Sequence, residues 1–171
     1  MRLLEVDQTL TPADHQTHRV YHFAVPGACT RLSVHVRYDP KYEAVEASAA
    51  LVGQAIAQQR TDLLTRGVDA RLADAWAHAS VGPERVANLL TLSLDDAAGA
   101  YRGTAHRQPA DMRLVLASDA ASPGLVAGPL PEGDWRLTIS VHTLVSPEVA
   151  LSIQVAADTA SSAPSGVCNS T

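Results

Sequence analysis

The chain is predicted to be mainly β, an antiparallel β-sandwich of about seven or more strands with an inserted α-helical hairpin. The strongest observation is the stretch from Gly124 to His142. Gly and Pro build a turn system there, after which Trp135, Leu137, Ile139 and Val141 alternate with Arg136, Thr138, Ser140 and His142. A strand with one apolar face needs a second layer to cover it. The second observation is a change of period: between Glu43 and Ser80 the apolar spacing lengthens from two to about three and a half, the spacing of a helix. The third is the recurrence of Pro, Gly, Asp and Ser clusters between short alternating runs, which favours a sandwich over a barrel.

In chain order, Glu5 to Leu10 is a first short strand, and Thr11-Pro12-Ala13-Asp14 carries the cap, proline and acid of a single helical turn. Tyr21, Phe23 and Val25 then alternate with His22 and Ala24, Pro26-Gly27 breaks the run, and Leu32, Val34, Val36 and Tyr38 alternate with Arg31, Ser33, His35 and Arg37. These two strands are expected to form a hairpin with His22 and His35 on outward faces. In the insertion, Val45, Ala49, Val52, Ile56 and Leu63 share one helical stripe, while Leu51 and Leu64 fall off it. Gly67 stands just past the helix end, and a second helix starting near Asp69 carries Leu72 and Trp76 on one side. Gly82-Pro83 stops it. Strands follow over Asn88 to Asp96, where Leu90, Leu92 and Leu94 alternate, at Tyr101-Arg102-Gly103, and over Met112–Ala117, Trp135–His142 and Val149–Ala156.

Composition bounds the function classes. At 171 residues the chain is one domain, residues 1–157 with the insertion at about 43–80, followed by an Ala/Ser-rich tail at 158–171 too poor in apolar residues to order itself. The core is aliphatic, since the chain has one Phe, two Trp and four Tyr among 46% hydrophobic residues. A formal charge of −5 with no basic run argues against nucleic acid or an anionic membrane surface as a partner. No segment approaches the ~20 apolar residues of a membrane span, and the N-terminus lacks a secretory signal, so the expected location is cytoplasmic. Cys29 and Cys168 have no metal spacing and read as unrelated thiols. No cofactor is expected.

The compact cationic group Arg102, His106 and Arg107 with Trp135 is the candidate ligand site, a platform for a small anion or sugar by charge and stacking. The plainer alternative has Arg102 pairing locally, Gly103 permitting a bulge and Trp135 filling the core. Among seven histidines, His22, His35 and His142 project from the polar sides of strands and are the alternative for a zinc site, with His106 a further candidate; His15 and His18 stand three apart, the spacing of a shared helical face. Asp95, Asp96 and Asp119 are oxygen donors in turns, without the order of a calcium loop. No serine-nucleophile motif or phosphate loop occurs, and Gly99 to Gly103 lacks the Lys and helix that a phosphate cradle needs.

Four segments in the same order resemble the non-catalytic N-terminal β-sandwich region of CehA/McbA-type metallohydrolases, which carry a PHP-type domain after it. They are Tyr21 to Pro26, Leu89 to Asp96, Tyr101 to Arg107, and Ser122-Pro123-Gly124 through Gly128 to Trp135, within a resemblance covering about Thr17 to Ala156. The resemblance implies a β-sandwich whose metal-binding histidines belong to a following domain. That domain's Gly-Asp-Leu-His-x-His type segment does not occur in these 171 residues. The expectation is an accessory binding module, with a protein partner or self-association through the helical insertion. A small metal-dependent hydrolase using surface histidines is the alternative.

Overall fold

The computed structural model describes residues 1–105 and 109–160. Strand β1 (Arg2–Leu10) leads through a 3-10 turn (Pro12–Asp14) to β2 (Thr17–Val25) and β3 (Cys29–Asp39). Helices α1 (Val45–Thr65) and α2 (Ala70–Ala79) follow, then β4 (Leu89–Asp95), β5 (Tyr101–Thr104), β6 (Asp111–Ala117), β7 (Gly133–Thr143) and β8 (Val149–Thr159). Two antiparallel four-stranded sheets result, in the orders β1-β8-β3-β6 and β2-β7-β4-β5. The sandwich with a helical insertion is therefore the fold, and β8 carries its pairing with β3 to Thr159, past residue 157, with a register shift between Cys29 and Arg31.

The core lies between the sheets and is filled by the inward alternates: Leu32, Val34 and Val36 of β3, Leu90, Leu92 and Leu94 of β4, Trp135, Leu137 and Ile139 of β7, Leu151, Ile153 and Val155 of β8. Trp135 is fully buried, donates its indole N–H to the Pro131 carbonyl at 2.8 Å, and packs against Phe23 with ring centroids 6.5 Å apart. A single polar donor at the edge of a large apolar body is thereby satisfied, which makes its burial favourable.

The expected β2–β3 hairpin does not form. β2 pairs with β7 in one sheet, and β3 pairs with β8 and β6 in the other, so Pro26 to Ala28 is an arch between sheets. Pro26 supplies no backbone N–H and Ala28 has φ 57°, a combination that turns the chain out of the sheet plane instead of closing a ladder. His22 and His35 do face outward as expected, but from opposite faces of the sandwich.

The insertion is held by its neck. Tyr42 bridges Ala87, Glu43 N–H donates to the Val86 carbonyl at 2.9 Å, and the Asn88 N–H donates to Lys41 at 2.9 Å. Asn88, fully buried, donates from its amide to Pro40 at 3.0 Å and the Ser146 hydroxyl at 2.8 Å, and accepts from Val145 N–H at 2.8 Å and Ser146 N–H at 3.2 Å. One side chain thus ties the neck to the β7–β8 loop with every polar atom paired. The end of α1 has the geometry its sequence predicts: Gly67 at φ 83° donates to Leu64 and Val68 donates to Leu63, both at 3.0 Å, closing the last turn. Asp69 caps α2 through Arg71 N–H at 2.9 Å and Leu72 N–H at 3.3 Å.

Candidate functional site

Arg102 and Trp135 are brought together, but inside the molecule. The guanidinium carbon lies 5.3 Å from the Trp135 ring, and only 6% of Arg102 is exposed. Its nitrogens donate to the carbonyls of Val126 (3.1 Å), Gly128 (3.2 Å) and Pro129 (2.8 Å), and it pairs with the buried Asp96 carboxylate at 3.4 Å. Asp96 in turn accepts from Ala98 N–H at 3.0 Å and Ala100 N–H at 2.9 Å. This constellation fastens the β6–β7 loop onto β5, and its charge is spent on that task. Gly103 makes the same approach possible: at φ 109°, a Cβ there would stand 2.1 Å from the Gly124 carbonyl oxygen. His106 and Arg107, the other expected members of the platform, lie outside the described residues, as does Cys168.

The histidines are dispersed. His22 pairs with Asp134 at 2.7 Å on the outer face of β2 and β7, His142 contacts the Thr91 hydroxyl at 2.8 Å, and His18 contacts Ser140 at 3.0 Å. His22 lies opposite Arg136 in the ladder, six residues along β7 from His142, a separation of about 20 Å. His35 lies on the other sheet, paired with Asp111 at 2.9 Å. His15 follows the 3-10 turn, where its Nδ1 accepts the Leu144 N–H at 3.2 Å, so it shares no helical face with His18. The zinc set His22, His35 and His142 is accordingly not assembled. Among the described residues no group of three or more His, Cys, Asp or Glu is placed to hold a metal ion, Asp95, Asp96 and Asp119 included. Asp95 instead pairs with Arg136 at 3.0 Å.

Two concave regions stand out among the described residues, one at a strand edge that the sequence pattern does not single out and one on the helical insertion expected to hold a partner. The larger, about 700 Å³, opens between the sheets at the β5/β6 flank and is lined by Ala105, Pro109, Asp111, Met112, Arg113, Leu114, Pro123 and Gly124. At its rim Asp111 accepts from Arg113 at 3.3 Å as well as facing His35. Desolvation opposes the charged form of Asp111, but the His35 hydrogen bond and the His35 and Arg113 charges outweigh it and hold its carboxyl below the ordinary value. The legible signal here was Pro109, which ends the chain's run before β6, together with the opposite charges of Asp111 and Arg113 two residues apart on one strand face.

The second region, about 460 Å³, is a groove on the helical hairpin between Val52, Ile56 and Gln59 of α1, Trp76 of α2, and Val81 and Pro83 after it. Gly82 lets this segment pass α1, since a Cβ there would meet Val52 at 2.3 Å. The helices pack on each other, with Arg60 paired to Asp74 at 2.5 Å, and neither lies flat on a sheet. The stripe of α1 is therefore only partly covered: Val52, Ile56 and Leu63 are half-buried, Val45 and Ala49 exposed, and the off-stripe Leu51 and Leu64 half-buried. The side of α2 carrying Leu72 (63% exposed) and Trp76 (39% exposed) faces out, with Val81 93% exposed beside it. No helix is long and apolar enough to cross a membrane.

No family model and no curated protein matches the chain. Solved structures similar to it include the crystal structure of GEBA250068378 from Sulfurospirillum deleyianum, 7% identical over 90% of this chain and 98% of that one. Its TM-score is 0.31.

Proposed function

We propose that the chain is a non-catalytic accessory module, related to the N-terminal region of PHP-type metallohydrolases, that works by holding a protein partner on its helical hairpin. The observation that carries this reading is the exposure of Leu72, Trp76 and Val81 on a hairpin that packs on itself instead of on the sandwich. Apolar area of this kind costs solvation free energy in the free protein, and covering it with a second protein surface recovers that cost. The neck built on Asn88 supports the same reading, because its hydrogen bonds tie the base of the hairpin to the β7–β8 loop. The chemistry-bearing side chains point the same way: Arg102 is spent on loop carbonyls, and His22, His35 and His142 are tied to separate local partners.

The test is site-specific photo-crosslinking in cells. A photoreactive residue at Leu72 or Trp76 is expected to trap a discrete partner, whereas one at the exposed Arg136, on the outer face of β7, is not. Equal trapping at all three positions removes the hairpin as the binding surface. Hydrolysis of a phosphoester model substrate with added manganese or zinc, abolished by His142→Ala, returns the metal-hydrolase alternative instead.

A further inference from the structure

Strand β6 is an edge of its sheet, paired on one side only with β3. Along β6 the backbone groups of Ala110, Met112, Leu114 and Leu116 turn toward β3, as the bond from Tyr38 N–H to the Ala110 carbonyl at 2.9 Å places them in the ladder. The alternate residues turn toward the flank. Val115 and Ala117 have theirs taken by the following loop, through Ser122 N–H to the Val115 carbonyl at 2.8 Å and Ala117 N–H to the Ala120 carbonyl at 2.7 Å. The N–H and C=O of Asp111 and Arg113 have no partner among the described residues. Among the described residues a stretch of strand edge is thus left without backbone partners beside the apolar cleft, with Leu114, Pro109 and Pro123 next to it.

We propose that this edge pairs with the β6 edge of a second copy about a two-fold axis beside Met112, joining two four-stranded sheets into one of eight strands. Antiparallel pairing centred there sets Asp111 opposite Arg113 of the second copy and Arg113 opposite Asp111 of the second copy. Both are narrow pairs in which each residue exchanges its open N–H and C=O, so the backbone register and the charges select the same alignment. Both side chains lie on the outer face, where each carboxylate meets a guanidinium across the new ladder. The occupant is a second copy of this chain because the charge order Asp-Met-Arg is complementary to its own reverse. The contact is separate from the helical hairpin and does not depend on the function proposed for it.

Sedimentation velocity on the full chain at tens of micromolar tests this, with circular dichroism as the check on folding. The wild type is expected to be a dimer. Arg113→Asp or Asp111→Arg places like charges opposite each other twice, and either is expected to weaken dimerisation by roughly tenfold or more. The double exchange D111R/R113D restores the opposite-charge pairs, keeps an acid beside His35, and is expected to restore the dimer. Leu72→Glu leaves it intact. A wild type that stays monomeric overturns the proposal and leaves the edge to an extended peptide of another protein. A dimer indifferent to both single reversals, or one not rescued by the double exchange, overturns it as well.

Discussion

The two edges of the β1-β8-β3-β6 sheet carry nearly the same motif with one sign changed. On β1 the outward residues at the centre are Glu5 and Asp7 around Val6; on β6 they are Asp111 and Arg113 around Met112. Antiparallel pairing of β1 with a copy of itself about Val6 sets Glu5 against Asp7, two carboxylates across a narrow pair. The same operation on β6 sets a carboxylate against a guanidinium. Like charges directly opposite destabilise a ladder and opposite charges support it, so one edge is protected from self-pairing and the other invites it. The flanks differ in the same sense. Beside β1 the sandwich is sealed by Gln8 donating to the Tyr21 hydroxyl and by Arg19 paired with the buried Asp14, whereas beside β6 it opens into the cleft. The lesson is that two edge strands of equal backbone geometry are distinguished by side-chain charge order and by how the gap between sheets is closed.

The comparison is broken most completely by giving β1 the charge order of β6. Glu5→Arg creates Arg-Val-Asp on the sealed edge, so each molecule acquires two self-complementary edges. Light scattering is expected to show open-ended, concentration-dependent assembly in place of a closed species; an unchanged molecular mass means that charge order is not what protects β1. The open flank depends on its buried arginine: Arg102→Ala strips donors from the Val126, Gly128 and Pro129 carbonyls and the counter-charge from Asp96. A loss of about 3–5 kcal/mol in chemical denaturation is expected, and a loss under 1 kcal/mol would mean that the loop is held by other contacts.

The equivalent ion pair on the sealed flank is worth less, because Arg19 is half in solvent while Asp14 is buried. Asp14→Ala removes the acceptor for Thr11 N–H, a 2.8 Å bond, and is expected to cost about 1–2 kcal/mol, as a lost helix cap does. The smallest effect is in acid. The Arg19 hydrogen bond first, and then the Thr11 N–H, hold the Asp14 carboxyl below its ordinary value. A carboxyl whose folded pKa lies below its unfolded one stabilises the fold above the unfolded value, near pH 3.9, and loses that contribution as pH falls through the folded value. The stability gap between wild type and Asp14→Asn is expected to narrow below about pH 4; a gap independent of pH contradicts the pairing.

Most strands were legible because burial on one face imposes a period of two that survives in the residues themselves. Trp135 to Val141, Leu90 to Leu94 and Val149 to Val155 all fall in the core as their alternation requires, and Gly67 and Asp69 terminate and start the helices where local hydrogen bonding demands. The pairing partners were not legible. Alternation says which face a residue takes and nothing about which strand lies beside it, so Tyr21 to Val25 and Leu32 to Tyr38 were read as one hairpin although Pro26 and Ala28 send them to different sheets.

The candidate site followed the same division. Arg102 and Trp135, expected together, do meet, yet burial turns the arginine toward the carbonyls of a loop more than twenty residues away, which no local pattern records. The dispersal of His22, His35 and His142 is likewise a matter of sheet membership. Glu5, Asp7, Asp111 and Arg113 stood in plain view as surface charges on strands. Only strand order, which leaves β1 and β6 at the edges and exhausts the backbone bonds of every strand between them, converts those charges into a rule for what each edge can pair with. Local alternation and capping follow from short-range sterics and hydrogen bonds within a few residues, whereas edges, clefts and partners depend on contacts between segments far apart in the chain.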